Sequence, residues 1–176
     1  MSQDGRETRF VVGGLVPERD RNAEGRAENA RPRDRFGRPL PYGSPDEMAD
    51  RQEPGDVVAT IPEALHRAVA LFDQQRFFEA HEFLEWIWKS DLVASADRDY
   101  WKGVTQVAVG CAHTQRGNIS GATTLLTRAR RYLAPYPSPY GGVDRDALDA
   151  GAQRVLDQIR AHGAGPDLDF PRFPLA

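Results

Sequence analysis

The chain has 176 residues, a formal net charge of −3 and one cysteine, Cys111. Its length suits one domain with a real core plus a tail, and its slight acidity argues against nucleic acid or an anionic membrane as a general partner. A lone thiol excludes an internal disulfide framework or a multi-cysteine zinc site and fits a reducing compartment. The first twenty residues hold no apolar run of signal-peptide length and nothing approaches a membrane span, so the expectation is a soluble, unexported, cytoplasmic protein.

Residues 17–56 mix charges of both signs with Pro, Gly, Asn and Ala and carry few large apolar groups. Such a segment buries too little surface to offset its ordering entropy, so residues 1–58 are expected to form an extended or disordered arm. Within it, Phe36, Leu40 and Tyr42 offer a patch that could lie on the folded part. Arg31, Arg33, Arg35 and Arg38 form a basic cluster interrupted only by Asp34. A solvated arm is the simplest reading of that cluster, and contact with RNA or an acidic partner is the alternative.

From Thr60 the pattern turns helical. Thr60 and Glu63 form a capping box, and Ile61, Leu65, Ala68, Val69 and Phe72 give a stripe to about Gln74. After a break at Gln75 and Arg76, the run Phe77 to Lys89 reads as a second helix. A third, capped by Ser95, runs to Arg116 and ends at Gly117, a residue suited to the left-handed position after a helix. Asn118 caps a fourth that Pro135 stops, and a fifth spans roughly Asp144 to His162, closed by Gly163. No run has a useful β period. The prediction is an all-α bundle of about five helices over 59–163, with an extended tail, 164–176, anchored on it by Phe170, Phe173 and Leu175.

In the second helix, periodicity puts Phe77, His81, Leu84 and Trp88 on one stripe facing the core. Glu85 lies one turn on, and Glu79 and Glu82 point more toward solvent. A buried imidazole needs partners for both nitrogens, at a cost of roughly 1–3 kcal/mol per unmade bond. Glu85 is one candidate. Gln106 and His113 of the third helix share a face close to that of Gly103 and Gly110, whose small size suggests a groove receiving the second helix. The expected cluster is therefore His81, Glu85, Gln106 and His113.

Three readings compete for it: a satisfied polar network fixing helix register; a metal or catalytic site; and a small-molecule pocket or partner groove lined also by Trp86, Trp88, Tyr100 and Trp101. A divalent metal would take His81, Glu85 and His113 as ligands, with Gln106 or Glu82 in support. The second histidine of H-E-x-x-H and the Glu-x-x-His pair of di-iron bundles are both missing. No residue is assigned as catalytic. Cys111 in an apolar helix reads as an inert small hydrophobe, His66 and His162 read as solvated, and Arg128, Arg130 and Arg131 suit a helix C-terminus. Helices three and four, joined by "QRGNISGA" with small Ala122 and Ala129, also sound like one tetratricopeptide unit, which would make the protein an interaction scaffold and the cluster purely structural.

The stretch "FFEAHEFLEWIWK", followed by "KGVTQVAVGCAHTQRGNISGATTLLTRARRYL", resembles domain-of-unknown-function family number 309, a small all-helical family of bacteria, archaea and plastids. Its signature is an E-A-H-E-x-x-E-x-x-W helix followed by Q-x-A-x(4)-H-x-x-R-G-N. Glu79, His81, Glu82, Glu85 and Trp88 match in the first motif, and Gln106, His113, Gly117 and Asn118 in the second. The resemblance covers about Ile61 to Leu133, and "NARPRDRFGRPLPYG" is similar to the N-terminal extension of actinobacterial members. It implies a compact helical bundle, with a homo-oligomer among its options, and no established activity. The partner of the arm is not named by it.

Overall fold

Helix boundaries fall where the capping chemistry puts them. The structure is a computed structural model and describes residues 31–176; the part of the expected arm over 1–30 lies outside the described residues. A single turn, α1 (Pro54–Val57), precedes α2 (Ile61–Asp73). The Thr60 hydroxyl accepts from the Glu63 amide at 3.3 Å while the Glu63 carboxylate accepts from the Ala59 and Thr60 amides at 2.9 and 3.1 Å, which closes the predicted box. Helix α2 ends with Gln75 at φ 59°, and the amides of Gln75 and Arg76 turn back onto Phe72 O and Leu71 O. That is a Schellman turn with glutamine in the usual glycine position. It starts α3 (Phe77–Lys89) immediately, and the Gln115 side-chain amide braces it by donating to Gln75 O at 2.9 Å.

Ser95 does not cap the next helix with its side chain. Ser95–Asp97 forms a 3-10 turn that leads into α4 (Arg98–Gln115). Gly117 then takes φ +73°, with the Gly117 and Asn118 amides bonded to Thr114 O and His113 O, and α5 (Ile119–Leu133) begins at once under the Asn118 cap. The Asp144 carboxylate caps α6 (Arg145–His162), which Gly163 ends at φ +80°. Among the described residues no β-strand occurs, only isolated bridges, so the predicted all-α class holds with α1 as an additional turn.

Successive helices are neighbours in space, from α2 on α3 to α5 on α6, and α4 passes through the middle. Thirteen of its eighteen residues are buried, which makes any polar group it carries a packing problem. Phe72, Phe77, Leu84, Ile87, Val104, Val107, Leu126 and Leu133 fill the spaces between helices, each such side chain stabilising the fold by about 1.5–3 kcal/mol on full burial. The tail closes one end: Phe173 meets Phe72 edge-on and Phe170 packs on Phe77, while the Asp73 carboxylate accepts from the Phe173 amide at 2.7 Å. Leu175, expected as a third anchor, is 52% exposed and contributes a backbone bridge to Val143 instead.

Two further expectations change. Pro32–Ala176 forms one compact unit, so the stretch 32–58 is part of the folded body, with Met48, Pro54 and Val58 buried. Few apolar groups suffice because Asp34 and Asp46 knit the segment by accepting from the amides of Phe36, Arg38, Arg33 and Met48. The glycine groove also receives a different helix. A Cβ at Gly103 would meet Tyr132 and the Ala129 carbonyl, and one at Gly110 would lie 2.6 Å from Leu126 Cγ, so these glycines seat α5 and not α3. Gly110→Val should therefore destabilise the protein by about 1–3 kcal/mol through overpacking, read as a lower urea midpoint at unchanged slope.

Candidate functional site

The α4 residues Lys102, Gln106, Val109 and His113 recur at four-, three- and four-residue intervals and so share one face. Lys102 fixes where that face looks. Its ammonium lies 5.8 Å from the Trp88 ring of α3 and 5.1 Å from the Tyr132 ring of α5. That face therefore looks into the angle between α3 and α5, termed the furrow. On α3, His81 sits two turns before Trp88 on the same stripe, with Glu85 between them. Gln106 is only 9% exposed and its carboxamide oxygen has no hydrogen-bond partner. The other buried polar side chains of α4 are satisfied: Thr105 by Trp101 O, Thr114 by Gly110 O, Gln115 by Gln75 O.

The two histidines hold their protons on opposite nitrogens. His81 Nδ1 lies against the Phe78 carbonyl, an acceptor only, so it donates and leaves a lone pair on Nε2. Asn118 uses its side-chain oxygen to accept from the Gly121 amide at 2.9 Å, so its NH2 is what meets His113 Nδ1 at 2.8 Å. His113 Nδ1 thus accepts, and its Nε2 carries the proton. Burial pushes the His81 pKa down to about 4 against the upward pulls of the Phe78 carbonyl and Glu85, and Arg116 and Arg33 add smaller lowering effects. His113 is lowered as well, first by burial and then by Arg116. Both rings are neutral at pH 7.

This arrangement does not assemble the expected metal set. Among the described residues no group of three or more His, Cys, Asp or Glu converges as an ion would require. The reasons are local. Glu85 leans along its own helix to Lys89 Nζ at 2.7 Å, and His113 spends its Nδ1 lone pair on Asn118 while its other nitrogen is protonated. Glu79 and Glu82 depart from the sequence reading too. Glu79 is 6% exposed and accepts a two-pronged bond from Arg76 at 2.7 and 2.6 Å. Glu82 is half-buried, with its pKa raised to about 7 mainly by desolvation. Its surroundings include Arg33, Arg51 and Glu53, all three from the stretch expected to form the arm.

Residues that sequence reasoning passed over cap the furrow at the His81 end. The guanidinium carbons of Arg33 and Arg116 lie 4.7 and 5.2 Å from the Phe78 ring centroid, and Phe78 meets the His81 ring edge-on at 4.8 Å. Arg116 Nε donates to Phe36 O at 2.8 Å, and Arg38 donates to Arg116 O at 2.8 Å. Gly37 passes so close to Phe78 that any side chain there would collide with the ring. The signal for Arg116 was present in the R-G-N turn, and the signal for Arg33 in the basic cluster, but nothing in either said that they meet over one phenylalanine. Cys111 is fully buried and its thiol pKa is pushed up to about 12, in keeping with an inert role.

A family model described as "Domain of unknown function (DUF309)" matches residues 65–125, the stretch that carries α3, α4 and the turn into α5. The match covers about a third of the chain and is a likeness of that stretch alone. The chain is also 34% identical over 100 residues to the uncharacterized protein YpuF of Bacillus subtilis strain 168, a match covering 54% of this chain and 55% of that protein. The chain thus spans about half the length of this curated relative. No solved structure matches the chain. The matched stretch contains His81, Glu85, Gln106 and His113 as well as Arg116, whereas Arg33 and the turn around Gly37 lie outside it.

Glu82 and His81 pull stability in opposite directions with pH. The His81 pKa is depressed from its ordinary 6.5, so its share of stability is intact above 6.5 and is lost as pH falls toward 4. The Glu82 pKa is raised from its ordinary 4.5, so the folded state is favoured while Glu82 is protonated and loses ground as pH climbs from 4.5 to 7. Glu82→Gln removes only the second effect. It should leave stability unchanged at pH 4.5 and raise it above pH 7 by on the order of 1 kcal/mol after allowance for solvent screening, measured by urea unfolding at the two pH values.

Proposed function

We propose that the protein binds a small polar molecule in the furrow between α3, α4 and α5, against His81, Glu85, Gln106 and His113. The observation that carries this reading is the Gln106 carboxamide oxygen. Three of the four buried polar side chains on α4 have been given partners by the fold and this one has not, although leaving such an acceptor unmade costs about 1–3 kcal/mol. A ligand N–H placed there would recover that cost. The flanking groups supply the rest of a recognition pattern, with an acceptor at His81 Nε2, a donor at His113 Nε2–H, and the half-buried rings of Trp88 and Tyr132 to receive a flat molecule. No bond-making step is assigned to these residues.

A second reading rests on the close approach of α4 and α5. Gly103 and Gly110 lie against Ala129, Leu126 and Leu133, and Ala122 and Ala129 are fully buried, the packing a tetratricopeptide-like helix pair uses. In that reading the protein is an interaction scaffold and the furrow polar residues hold helix register. The two readings part on one substitution. Gln106→Leu keeps the bulk and removes the oxygen, so it should be neutral or stabilising to the fold. A collection of amides and N–H-bearing heterocycles, screened against the full chain by ligand-observed NMR, should yield binders that shift the His81 and His113 ring signals and weaken about tenfold in Gln106→Leu, the effect of one buried hydrogen bond. Binders indifferent to that change, or no binders, would leave the scaffold reading standing.

A further inference from the structure

We infer that Arg116, with Arg33 and Arg38 beside it, forms a site for a small oxyanion, a phosphate or carboxylate group, at the junction of the 32–40 segment, α3 and the end of α4. The inference stands on the contacts of Arg116 and does not depend on a ligand lying over Gln106. Arg116 donates through Nε to Phe36 O, yet its Nη2 is buried and has no partner among the described residues. A guanidinium presents a flat fork matched to two oxygens of one anion, and here half of the fork is committed to the backbone while the other half is dry and unmet.

The charge balance points the same way. Arg116 lies within electrostatic reach of Arg33, Arg38 and, among the described residues, the carboxylate of Asp34. Asp34 is already occupied, since its Oδ1 accepts from the amides of Phe36 and Arg38 at 3.0 and 2.8 Å and its Oδ2 stands 3.9 Å from Arg38 Nε. Burial and the two like charges bring the Arg116 pKa down to about 10, which leaves the group cationic at neutral pH. Glu82 faces Arg33 from α3, but it forms no hydrogen bond to any of the three arginines among the described residues and its own burial favours the protonated form. Arg33 and Arg38 thus add like charge beside Arg116. Phe78 takes the faces of Arg33 and Arg116, and that contact orients the Arg116 fork without giving its Nη2 an acceptor. An oxyanion added to Nη2 supplies the missing acceptor and offsets the like charge beside it.

The test uses the full chain with sodium phosphate and sodium acetate as probes and sodium chloride at matched ionic strength as reference. Thermal unfolding should shift upward with phosphate or with both oxyanions, beyond any effect of chloride. Calorimetric titration should show binding that weakens about tenfold or more in Arg116→Gln, as expected for the loss of a charge-assisted hydrogen bond. A shift with phosphate alone assigns a phosphoryl group, and a shift with both assigns the shared oxyanion geometry. Should Arg116→Gln fold poorly, Arg38→Gln alters a side chain that is 53% exposed and should weaken phosphate binding severalfold through the lost charge. Equal responses to phosphate, acetate and chloride, or undiminished binding in a folded variant, would overturn the inference and leave Arg116 as a latch for the 32–40 segment. Gln106→Leu should leave phosphate binding unchanged, so failure here and failure of the furrow reading are separately visible.

Discussion

The burial of α4 is the constraint from which the rest follows. A helix with neighbours on three sides loses water along most of its length, and each polar side chain it carries must find a partner within the protein or remain unsatisfied at a cost of about 1–3 kcal/mol. Thr105 and Thr114 solve this by bonding back one turn to Trp101 O and Gly110 O, an arrangement the helix offers to any threonine. Gln115 solves it by reaching across to Gln75 O, and in doing so braces a left-handed residue that glycine would otherwise occupy. Gln106 has no such exit for its oxygen. The same burial that makes the fold stable thus singles out one group as a place where the chain alone is incomplete.

The apolar and capping code was readable because it is local. The Thr60 box, the Asn118 cap, the turn at Gly117 and the stop at Gly163 each depend on residues within a few positions of one another, and the structure places the helices accordingly. The glycines of α4 show where that legibility ends. Spacing at 103 and 110 reveals a face that admits close approach, but it does not say which helix approaches. Helix α5 takes it because the tight turn at Gly117 folds α5 straight back along α4, whereas the longer 90–97 connection leaves α3 to pack on a different face. His81, Glu85, Gln106 and His113 were chosen from the sequence as polar residues on inward stripes, and their helices are neighbours as expected. The hydrogen-bond partners that decide their chemistry, Phe78 O, Lys89 and Asn118, were not legible. They depend on side-chain rotamers and not on period.

The N-terminal stretch was misjudged for a related reason. Composition measures how much apolar surface a segment can bury, and by that measure 32–58 should not fold. It folds because its carboxylates replace a core: Asp34 and Asp46 collect backbone amides, and Arg116 and Arg38 tie the turn to the end of α4. Charge-assisted bonds to backbone are individually stronger than neutral ones, and a mixed-charge sequence can use them wherever a rigid helix end supplies the opposite group. The segment also reaches the chemistry beneath it, since Arg33, Arg51 and Glu53 lie near Glu82, whose pKa burial raises.

Helix α4 therefore carries two incomplete groups that differ in kind. Gln106 lacks a donor in the middle of the helix, and Arg116 lacks an acceptor at its end, roughly 15 Å farther along at 1.5 Å of rise per residue. The histidines lie in the interval between them and are set as opposites, His81 offering a lone pair and His113 a proton. Their common neutrality at pH 7 follows from burial near arginines, so the imidazoles add no charge to a face that already holds Lys102 and Glu85, while the arginine end stays cationic. A molecule suited to the whole length would be neutral and donor-bearing at one end and anionic at the other. Two separate ligands would each meet only one of these demands, and the fold provides for either case because Asn118 and Phe78 fix the two imidazoles whether or not anything lies between them.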